Sequence, residues 1–527
     1  MRLSMFIHSQ YGRQGCMIFL TSSLGLSNGY LSLCVFTMEP QGYKMSFLCS
    51  SFSPFTGSRA KRVGNLFTLF LLIGVTLAIA LNWMWLIGMA GIMAKPEAKG
   101  RMMASIICWF LGIGCLLAWN SMLTIQDYYQ YLFPNYHSAR VLPIVYFPVV
   151  LTTTATLAYY EATLNTRKRI ISGFLLLFMS NAAIIILDLA TSGGGGLVRF
   201  IALCLIVVIV AIAEGTLEGG LFGDLSFMCP EFMQTFLSGM AASGLLTSSL
   251  RLITKAAFEN TKSGLRNGAS KWHVIMVFLS IATSFMLLCV FLYAFVFAKL
   301  PIVKYYRSKA ASEGSKTVAA DLAAAGMEMQ QIGITDEEGG HKQLERLSTK
   351  QLLAQNIDLT VAVILTYVLT LSIFPGFISE DTGKHSLGSW YAVVLITVFN
   401  LLDLIGRYIP VSETILSRKG LVVAAMCRYL LIPCFYFTAR YGSQGWMIFL
   451  TGFLGLSNGY LTVCVFAVLP QGYKGPEKNA LGNLFALFLL IGVTLGATLD
   501  WMWLIAQMHE EKNERIGSDA QRCIGGL

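Results

Sequence analysis

The sequence predicts an all-α polytopic membrane protein, and three observations carry this prediction. Of the 527 residues, 55% are hydrophobic and only 13% are charged, whereas about a quarter of the residues of a soluble domain are charged. The mean hydropathy is +0.64. The apolar residues form blocks of about 20 to 26, each long enough to cross a hydrocarbon core roughly 30 Å thick as a helix. Soluble domains and disordered chains are therefore excluded.

About thirteen such blocks follow one another along the chain. Spans are expected near Gln14–Met38, Gly64–Met89, Met103–Leu123, Val141–Tyr160, Ile170–Leu189, Leu197–Phe222, Phe232–Phe258, Val274–Ala298, Asp358–Ile378, Trp390–Val411, Gly420–Thr438, Gln444–Val468 and Leu481–Gln507. The one long polar stretch, Lys299 to Ile357, is predicted to be a flexible cytoplasmic connector.

The distribution of basic residues predicts the orientation of these spans. The net charge of +10 lies mostly in short connectors, which indicates membrane topology rather than nucleic-acid binding. With the span at Met103 starting inside, the cytoplasmic connectors carry roughly twice as many basic residues as the outer ones. We therefore predict eleven spans from Met103 onward, six before the long connector and five after it. This arrangement is typical of a small-solute carrier, although channels and receptors remain open.

An internal repeat distinguishes the N-terminal region from the rest. Tyr11–Lys44 matches Tyr441–Lys474 at about 25 of 34 positions, and Gly64–Ile87 matches Gly482–Ile505 at about 19 of 24. Ancient repeats within transporter folds show only weak symmetry. We interpret residues 1–92 as a recent copy of the last two spans, a fusion relic, with a working thirteen-span protein as the alternative. The remaining predicted parts are a six-helix bundle (93–298), a cytoplasmic loop (299–357), a five-helix bundle (358–508) and a tail (509–527).

Ionisable residues within the spans are the first candidates for function, because a charge at mid-bilayer costs about 2.5 kcal/mol or more unless it is paired or hydrated. Asp403 and Arg407 stand four apart and can pair on one helical face. Together they offer carboxylate acceptors beside a five-donor fork, which suits the hydroxyls and ring nitrogens of a polar organic solute. A purely structural ion pair is the alternative.

Glu214 and Glu218 form a second pair, four apart on a face with small residues. Two facing carboxylates in a low dielectric seldom ionise together, so a proton-coupled step is physically possible. The alternative is that both are hydrated near the cytoplasmic mouth.

Other polar positions carry weaker signals. Trp119 and Asn120 lie at the end of the predicted span Met103–Leu123. An indole can stack on a planar base, and an amide can both donate and accept hydrogen bonds. The alternative is that the tryptophan only marks the membrane interface. Asp224 is interpreted as a helix-end group and Ser457-Asn458 as a packing pair. The twelve cysteines lie mainly in apolar blocks and are interpreted as packing residues rather than metal ligands.

Enzyme motifs are missing from the sequence: it has no H-E-x-x-H, no P-loop and no nucleophile elbow. One enzyme alternative remains, because Gly223-Asp224 together with Asp403 superficially resembles a two-aspartate intramembrane protease. We expect no enzymatic activity.

Several runs resemble the equilibrative nucleoside transporter family, particularly its plant members. They are Trp119–Thr124, Gly219–Ser226, Arg251–Phe258, Pro301–Tyr306, Asp403–Arg407 and Leu456–Leu461, and the likeness covers about Met93 to Met508. The resemblance implies a major-facilitator-like fold of six plus five helices, with the N-terminus inside and the C-terminus outside.

The resemblance also implies the function: purine and pyrimidine nucleosides move by alternating access through a central cavity. Asp403 and Arg407 match the family's ribose- and base-contacting residues, and Leu116, Trp119 and Asn120 match its first cavity wall. Glu218 replaces the usual glutamine, which puts base preference in doubt. No cofactor is expected except protons as a coupling ion, and no nucleic acid or obligate protein partner. The plasma membrane is the expected location, with the vacuolar membrane as the alternative. The alternative function is a degenerate membrane protein that does not transport.

Overall fold

A computed structural model describes residues 18–19, 32–37, 48–51, 96–124, 129, 132–133, 136, 138–191, 196–258, 269–313, 319, 347–380, 387, 390–409, 417–441 and 443–525. The chain divides into two compact units, Met1–Asn82 and Trp83–Leu527. In the first unit, the described residues form three short antiparallel strands, β1 (Ile18–Phe19), β2 (Ser32–Thr37) and β3 (Leu48–Ser51), in the order β1-β2-β3.

The described residues of the second unit are helical, and the six elements before the long connector agree with the predicted spans. They are α1 (Pro96–Thr124), α2 (Ser138–Tyr159), α3 (Thr166–Thr191), α4 (Leu197–Ser226), α5 (Pro230–Phe258) and α6 (Ala269–Phe291). The last of these continues through a π-helical turn, Leu292–Val296, and a 3-10 turn, Phe297–Lys299.

The second half begins with short helices and ends with long ones. Its elements are α7 (Pro301–Ser312), α8 (Thr349–Gln355), α9 (Ile357–Ile373), α10 (Gly376–Glu380), α11 (Tyr391–Tyr408), α12 (Arg418–Cys427), α13 (Leu431–Tyr441), α14 (Gln444–Val468) and α15 (Gly475–Gly525). A 3-10 turn, Arg428–Leu430, joins α12 to α13.

Ten helical stretches among the described residues are long and apolar enough to span a membrane, which confirms the predicted multi-span helical class. They belong to α1 through α4, to the end of α6 with its π turn, and to α9, α11, α12–α13, α14 and α15. Helix α5 also lies where a span was predicted, but it is rich in serine and threonine. The count of eleven spans stays a prediction.

The structure differs from the sequence-based expectations in two places, and the tail, for which no secondary structure was predicted, is helical. Residues Ser32–Thr37 are a strand and not part of a helical span Gln14–Met38, which fits the β-branched and aromatic side chains of this run. The connector 299–357 is helical at both ends, in α7 and α8, because Pro301 opens one helix and Ser348 caps the other. The tail 509–527 continues α15 as far as Gly525. The predicted span Gly64–Met89 lies outside the described residues.

Glycines set how closely the helices that carry the polar residues approach each other. A Cβ at Gly112 of α1 would overlap the Phe236 carbonyl of α5. In the second half, a Cβ at Gly455 or Gly459 of α14 would overlap backbone oxygens of α11. Such backbone-to-backbone packing is the usual way in which membrane helices associate. It holds α1 against α5 and α14 against α11.

Candidate functional site

Asp403 and Arg407 form the predicted ion pair one turn apart on α11. Arg407 Nε lies 3.1 Å from Asp403 Oδ2, and both side chains are buried. Arg407 Nη1 also donates to the Leu237 carbonyl of α5 at 2.6 Å. The Gln234 side chain of α5 donates in return to the Arg407 carbonyl at 2.9 Å. The pair therefore lies where the second half of the bundle contacts the first.

Asn458, interpreted from the sequence as a packing residue, is bonded directly to this pair. Its Nδ2 donates to Asp403 Oδ1 at 2.7 Å, while Arg407 holds the other carboxylate oxygen. Both oxygens of Asp403 are thus fixed in orientation. The sequence carried one signal for this role, an amide buried in an otherwise apolar span, but no spacing rule connects α14 with α11.

Glu214 and Glu218 are buried on α4, with 0% and 2% of their surfaces exposed. Burial contradicts the hydration that the alternative assumes. The position of the pair toward the cytoplasmic mouth stays a prediction. Among the residues that the structure describes, neither oxygen of Glu214 has a hydrogen-bond partner. The Tyr146 phenol of α2 interacts electrostatically with Glu214, but no hydrogen bond of acceptable geometry joins the two groups.

Trp119 contacts Tyr146 rather than standing free for a solute. The two rings are stacked with centroids 3.7 Å apart and planes 12° apart. One indole face is therefore occupied, so a base would stack only on the opposite face or in place of Tyr146. The neighbouring Asn120 donates to Ser243 Oγ of α5 at 2.7 Å, and Leu116 lies partly buried against the core.

Tyr367 of α9 interacts electrostatically with both the Asp403–Arg407 ion pair and Glu218 of the acidic pair. This buried phenol also accepts a hydrogen bond from Thr462 at 3.2 Å. The same kind of electrostatic interaction links Tyr146 to Glu214, Glu218 and Cys115. The structure thus brings Glu214, Glu218, Asp403 and Arg407 into one central region between the two halves. Sequence reasoning did not find Tyr146 or Tyr367, because buried tyrosines are common in cores.

A second polar network closes one end of the bundle, the end that the basic residues predict to be cytoplasmic. Arg169 of α3 donates to Asn483 Oδ1 of α15 at 2.7 Å and to the Thr216 carbonyl at 2.8 Å. One turn earlier in α15, Asn479 donates to Glu161. The backbone N–H of Gly475 donates to Glu313 at 2.6 Å. These bonds join the first half to the start of α15, and no motif in the sequence predicted them.

Asp224 does not pair with Asp403, so the two-aspartate protease alternative is wrong. Arg307 of α7 lies 2.7 Å from Asp224 Oδ2, and the Tyr293 hydroxyl donates to the same oxygen at 3.0 Å. Each of the two aspartates is bonded to its own arginine, whereas that chemistry needs two acids that share a proton. Among the described residues, no group of three or more metal-ligating side chains occurs.

Comparison with known proteins identifies the fold and the family. The family described as "Nucleoside transporter" matches residues 203–505. Equilibrative nucleotide transporter 3 of Arabidopsis thaliana is 56% identical over 417 residues, which cover 79% of this chain and 97% of that protein. Equilibrative nucleotide transporter 5 of the same plant is 55% identical over 418 residues, or 79% and 98%.

Among solved structures, this chain resembles the proton:xylose symporter XylE of the major facilitator superfamily. The match covers 78% of this chain and 90% of the XylE chain. The TM-score is 0.54 at 11% sequence identity, which shows the fold alone. The predicted major-facilitator-like carrier fold is thereby confirmed, and the chain is not an enzyme. The chain belongs to the nucleoside transporter family.

Proposed function

We propose that this protein moves purine and pyrimidine nucleosides across a membrane by alternating access, and that Asp403 and Arg407 bind the solute. The observation that carries this proposal is the buried ion pair at the contact between the halves. Arg407 is bonded to α5 as well as to Asp403, so a rocking of one half against the other changes its surroundings. A solute bound there is coupled to that motion.

Charge favours nucleosides over nucleotides as the solute, although the Arabidopsis relatives bear the name nucleotide transporter. A phosphate group needs cationic donors that are not already bonded to acids. Arg407 is bonded to Asp403, and Glu214 and Glu218 add two carboxyl groups to the same region. Nucleosides carry no charge, and their hydroxyls and ring nitrogens match the acceptors and donors of the pair.

The remaining residues shape the cavity wall in this proposal. Asn120 donates to Ser243 Oγ, which fixes the position of its amide group on the cavity wall. Leu116 supplies apolar contact. Trp119, which is buried against Tyr146 and Phe147, supplies an indole for the base once these rings move. Glu218 stands where the family has a glutamine, and it accepts from an exocyclic amine but cannot donate when it is ionised.

We further propose that Glu214 and Glu218 couple transport to protons. An ionised carboxylate without donors in a buried site is costly, so Glu214 takes up a proton when it is enclosed as it is here. The titratable groups that act on it are Glu218 on its own helix and Tyr146 on α2, and Cys115 on α1 interacts with both acids. A cycle that hydrates and then encloses Glu214 would carry one proton with each solute.

Localisation and the N-terminal region complete the proposal. We place the carrier in the plasma membrane, with the vacuolar membrane as the alternative that microscopy of a tagged chain distinguishes. Residues 1–92 are proposed to be a fusion relic, and the chain starting at Met93 then contains everything that transport needs.

The test is uptake of radiolabelled adenosine and uridine by yeast that lacks nucleoside transport, at pH 5 and pH 7.5. The full chain, the chain from Met93 and Asp403→Ala are compared at equal surface amounts. Asp358→Ala is the matched control, because it breaks an ion pair with Arg418 that is one-third exposed and lies outside the central region.

We expect saturable uptake by the chain from Met93, background uptake by Asp403→Ala and near-normal uptake by Asp358→Ala. Unchanged uptake by Asp403→Ala would contradict the site. No uptake by well-expressed protein of either length would favour a degenerate copy, with Glu218→Gln as the next variant.

A further inference from the structure

Arg428 is a buried arginine that the proposed solute site does not use. It opens the 3-10 turn between α12 and α13, inside a predicted span, and only 5% of its surface is exposed. Its guanidinium makes four hydrogen bonds. The acceptors are Ser457 Oγ at 3.0 Å, the Thr366 carbonyl at 3.1 Å, Thr370 Oγ1 at 3.0 Å and the Leu454 carbonyl at 3.2 Å.

All four acceptors are uncharged, which is unusual for a cation in the middle of a bundle. Removing an arginine from water requires compensation by an anion or by a complete set of acceptors. Within the described part of the chain, no carboxylate lies within 4.0 Å of Arg428. The acid that acts on it electrostatically is Asp403.

A chain of hydrogen bonds leads from Arg428 to that acid. Thr370 Oγ1 accepts from Arg428 and lies 2.9 Å from Asn458 Oδ1, to which it donates. Asn458 Nδ2 then donates to Asp403 Oδ1 at 2.7 Å. The chain crosses α9 and α14 before it reaches α11.

The direction of this chain follows from Arg428, because a guanidinium has five donors and no acceptor. Arg428 occupies a lone pair of Thr370 Oγ1 and also bonds the Thr366 carbonyl, the other acceptor within reach of the Thr370 proton. Thr370 Oγ1 lies within donor distance of both the Thr366 carbonyl, at 2.8 Å, and Asn458 Oδ1, at 2.9 Å. Because Arg428 already occupies one lone pair of that carbonyl, its presence favours donation to Asn458. The asparagine amide then has to present its NH2 group, and not its oxygen, to Asp403.

We propose that Arg428 is a positioning residue for solute binding, which acts through Thr370 and Asn458 to orient the Asp403 carboxylate. This inference rests on the proposed role of Asp403 in binding the sugar. With Oδ1 held by Asn458 and Oδ2 held by Arg407, the remaining lone pairs of the carboxylate point in fixed directions. Without Arg428, the Thr370 hydroxyl is free to bond the Thr366 carbonyl alone. Asn458 Oδ1 then loses its donor, and Asn458 Nδ2 is held less firmly against Asp403 Oδ1.

The relay can be broken at Thr370 without removing a charge. Thr370→Val deletes the hydroxyl at nearly constant shape, and Thr366→Val is the matched control on the same helix. The Thr366 hydroxyl bonds only the Ala362 carbonyl of its own helix, whereas its backbone oxygen, which Arg428 uses, is untouched by the substitution. Arg428→Gln and Arg428→Lys test whether the relay of hydrogen bonds depends on the guanidinium group of Arg428.

The measurements are KM and maximal rate for uridine and for 2′,3′-dideoxyuridine, at equal surface amounts, beside Asp403→Asn. We expect Thr370→Val and Arg428→Gln to raise the KM for uridine about tenfold, which is the loss of one hydrogen bond to a charged group. The KM for the dideoxy compound should change little, so the discrimination between the two solutes narrows. Thr366→Val should resemble the wild type. A merely structural role would lower the surface amount without changing this discrimination.

The outcomes separate this inference from the proposed site. If Asp403→Asn removes the discrimination but Thr370→Val leaves it equal to that of Thr366→Val, the inference is overturned and the site stands. If Asp403→Asn leaves the discrimination intact, the site is wrong and the relay has no target, which overturns both. If Arg428→Gln does not reach the membrane, Thr370→Val decides alone.

Discussion

The two halves of the bundle each carry a pair of ionisable residues four positions apart, and the two pairs are built differently. On α11, Asp403 and Arg407 have opposite charges and bond to each other. On α4, Glu214 and Glu218 are both acids, and Glu214 has no hydrogen-bond partner in the described part of the chain. The same helical spacing therefore gives an ion pair whose charges cancel in one half. In the other half it gives two acids, of which Glu214 lacks a hydrogen-bond donor among the described residues. The fixed pair of α11 therefore offers donors and acceptors in set directions, whereas Glu214 lacks such a fixed partner among the described residues.

The largest expected effect comes from removing the cation of the fixed pair. Arg407→Ala leaves Asp403 buried with Asn458 as its remaining donor, which costs about 3 to 5 kcal/mol. Surface abundance and uptake should both fall to background. The double variant Asp403→Asn/Arg407→Gln removes both charges, so abundance should recover while uptake does not. Surface biotinylation beside uptake checks this, and recovery of uptake in the double variant would contradict solute binding by the pair.

A smaller effect is expected from glycines that pack beside the two pairs. A Cβ at Gly459 would overlap the Asp403 carbonyl, which is backbone and cannot move without α11. A Cβ at Gly219, beside the acidic pair, would meet Arg169 Nη2 and Asn483 Oδ1, which are ends of side chains and can shift more easily than backbone. Gly459→Ala should therefore destabilise the protein by about 1 to 3 kcal/mol, and Gly219→Ala by clearly less. Thermal unfolding of the purified variants measures the difference, and equal losses would contradict it.

The acidic pair should control pH dependence rather than binding strength. If Glu214 takes up the coupled proton, uptake rises at acid pH, because the carboxylate must be neutral before it is enclosed. Glu214→Gln is neutral at every pH, so the ratio of uptake at pH 5 to that at pH 7.5 should approach one. Glu218→Gln should mainly change the preference between adenosine and uridine. A ratio unchanged by Glu214→Gln would remove this residue from the coupling step.

The smallest effect is expected at Tyr146, which contacts both Trp119 and the acidic pair. Tyr146→Phe keeps the ring stack on the indole and should change the KM for uridine by less than about twofold. Tyr146→Ala also removes the stack, which is worth about 0.5 to 1.5 kcal/mol, and should raise KM by a correspondingly larger factor. Equal effects of the two substitutions would show that the ring contact does not shape the cavity.

Much of the fold and part of the site could be predicted from the sequence. Apolar blocks of bilayer length locate the helices, and the spacing of Asp403 and Arg407 predicts their contact on one helix. The relay through Asn458 and Thr370, and the closing contacts of Arg169, could not be predicted. They join residues far apart in the chain, and only the packing of α9, α11, α14 and α15 determines which polar groups meet.

The two similar segments Tyr11–Lys44 and Tyr441–Lys474 show the limit of local sequence most clearly. Ser32–Thr37 (SLCVFT) is a strand, whereas the corresponding Thr462–Ala467 (TVCVFA) lies inside α14. In α14 these six side chains are all buried among neighbouring helices. β-branched and aromatic residues fit either structure, so tertiary contacts decide between them.

The most direct test of the account is binding of uridine and 2′,3′-dideoxyuridine to the purified chain from Met93 and to its Asp403→Asn variant. The wild type should bind uridine at least about tenfold more tightly than the dideoxy compound, because a carboxylate placed for a hydroxyl is left unpaired without it. The variant should bind the two compounds almost equally. A variant that keeps the full discrimination of the wild type would contradict the central claim that Asp403 binds the sugar.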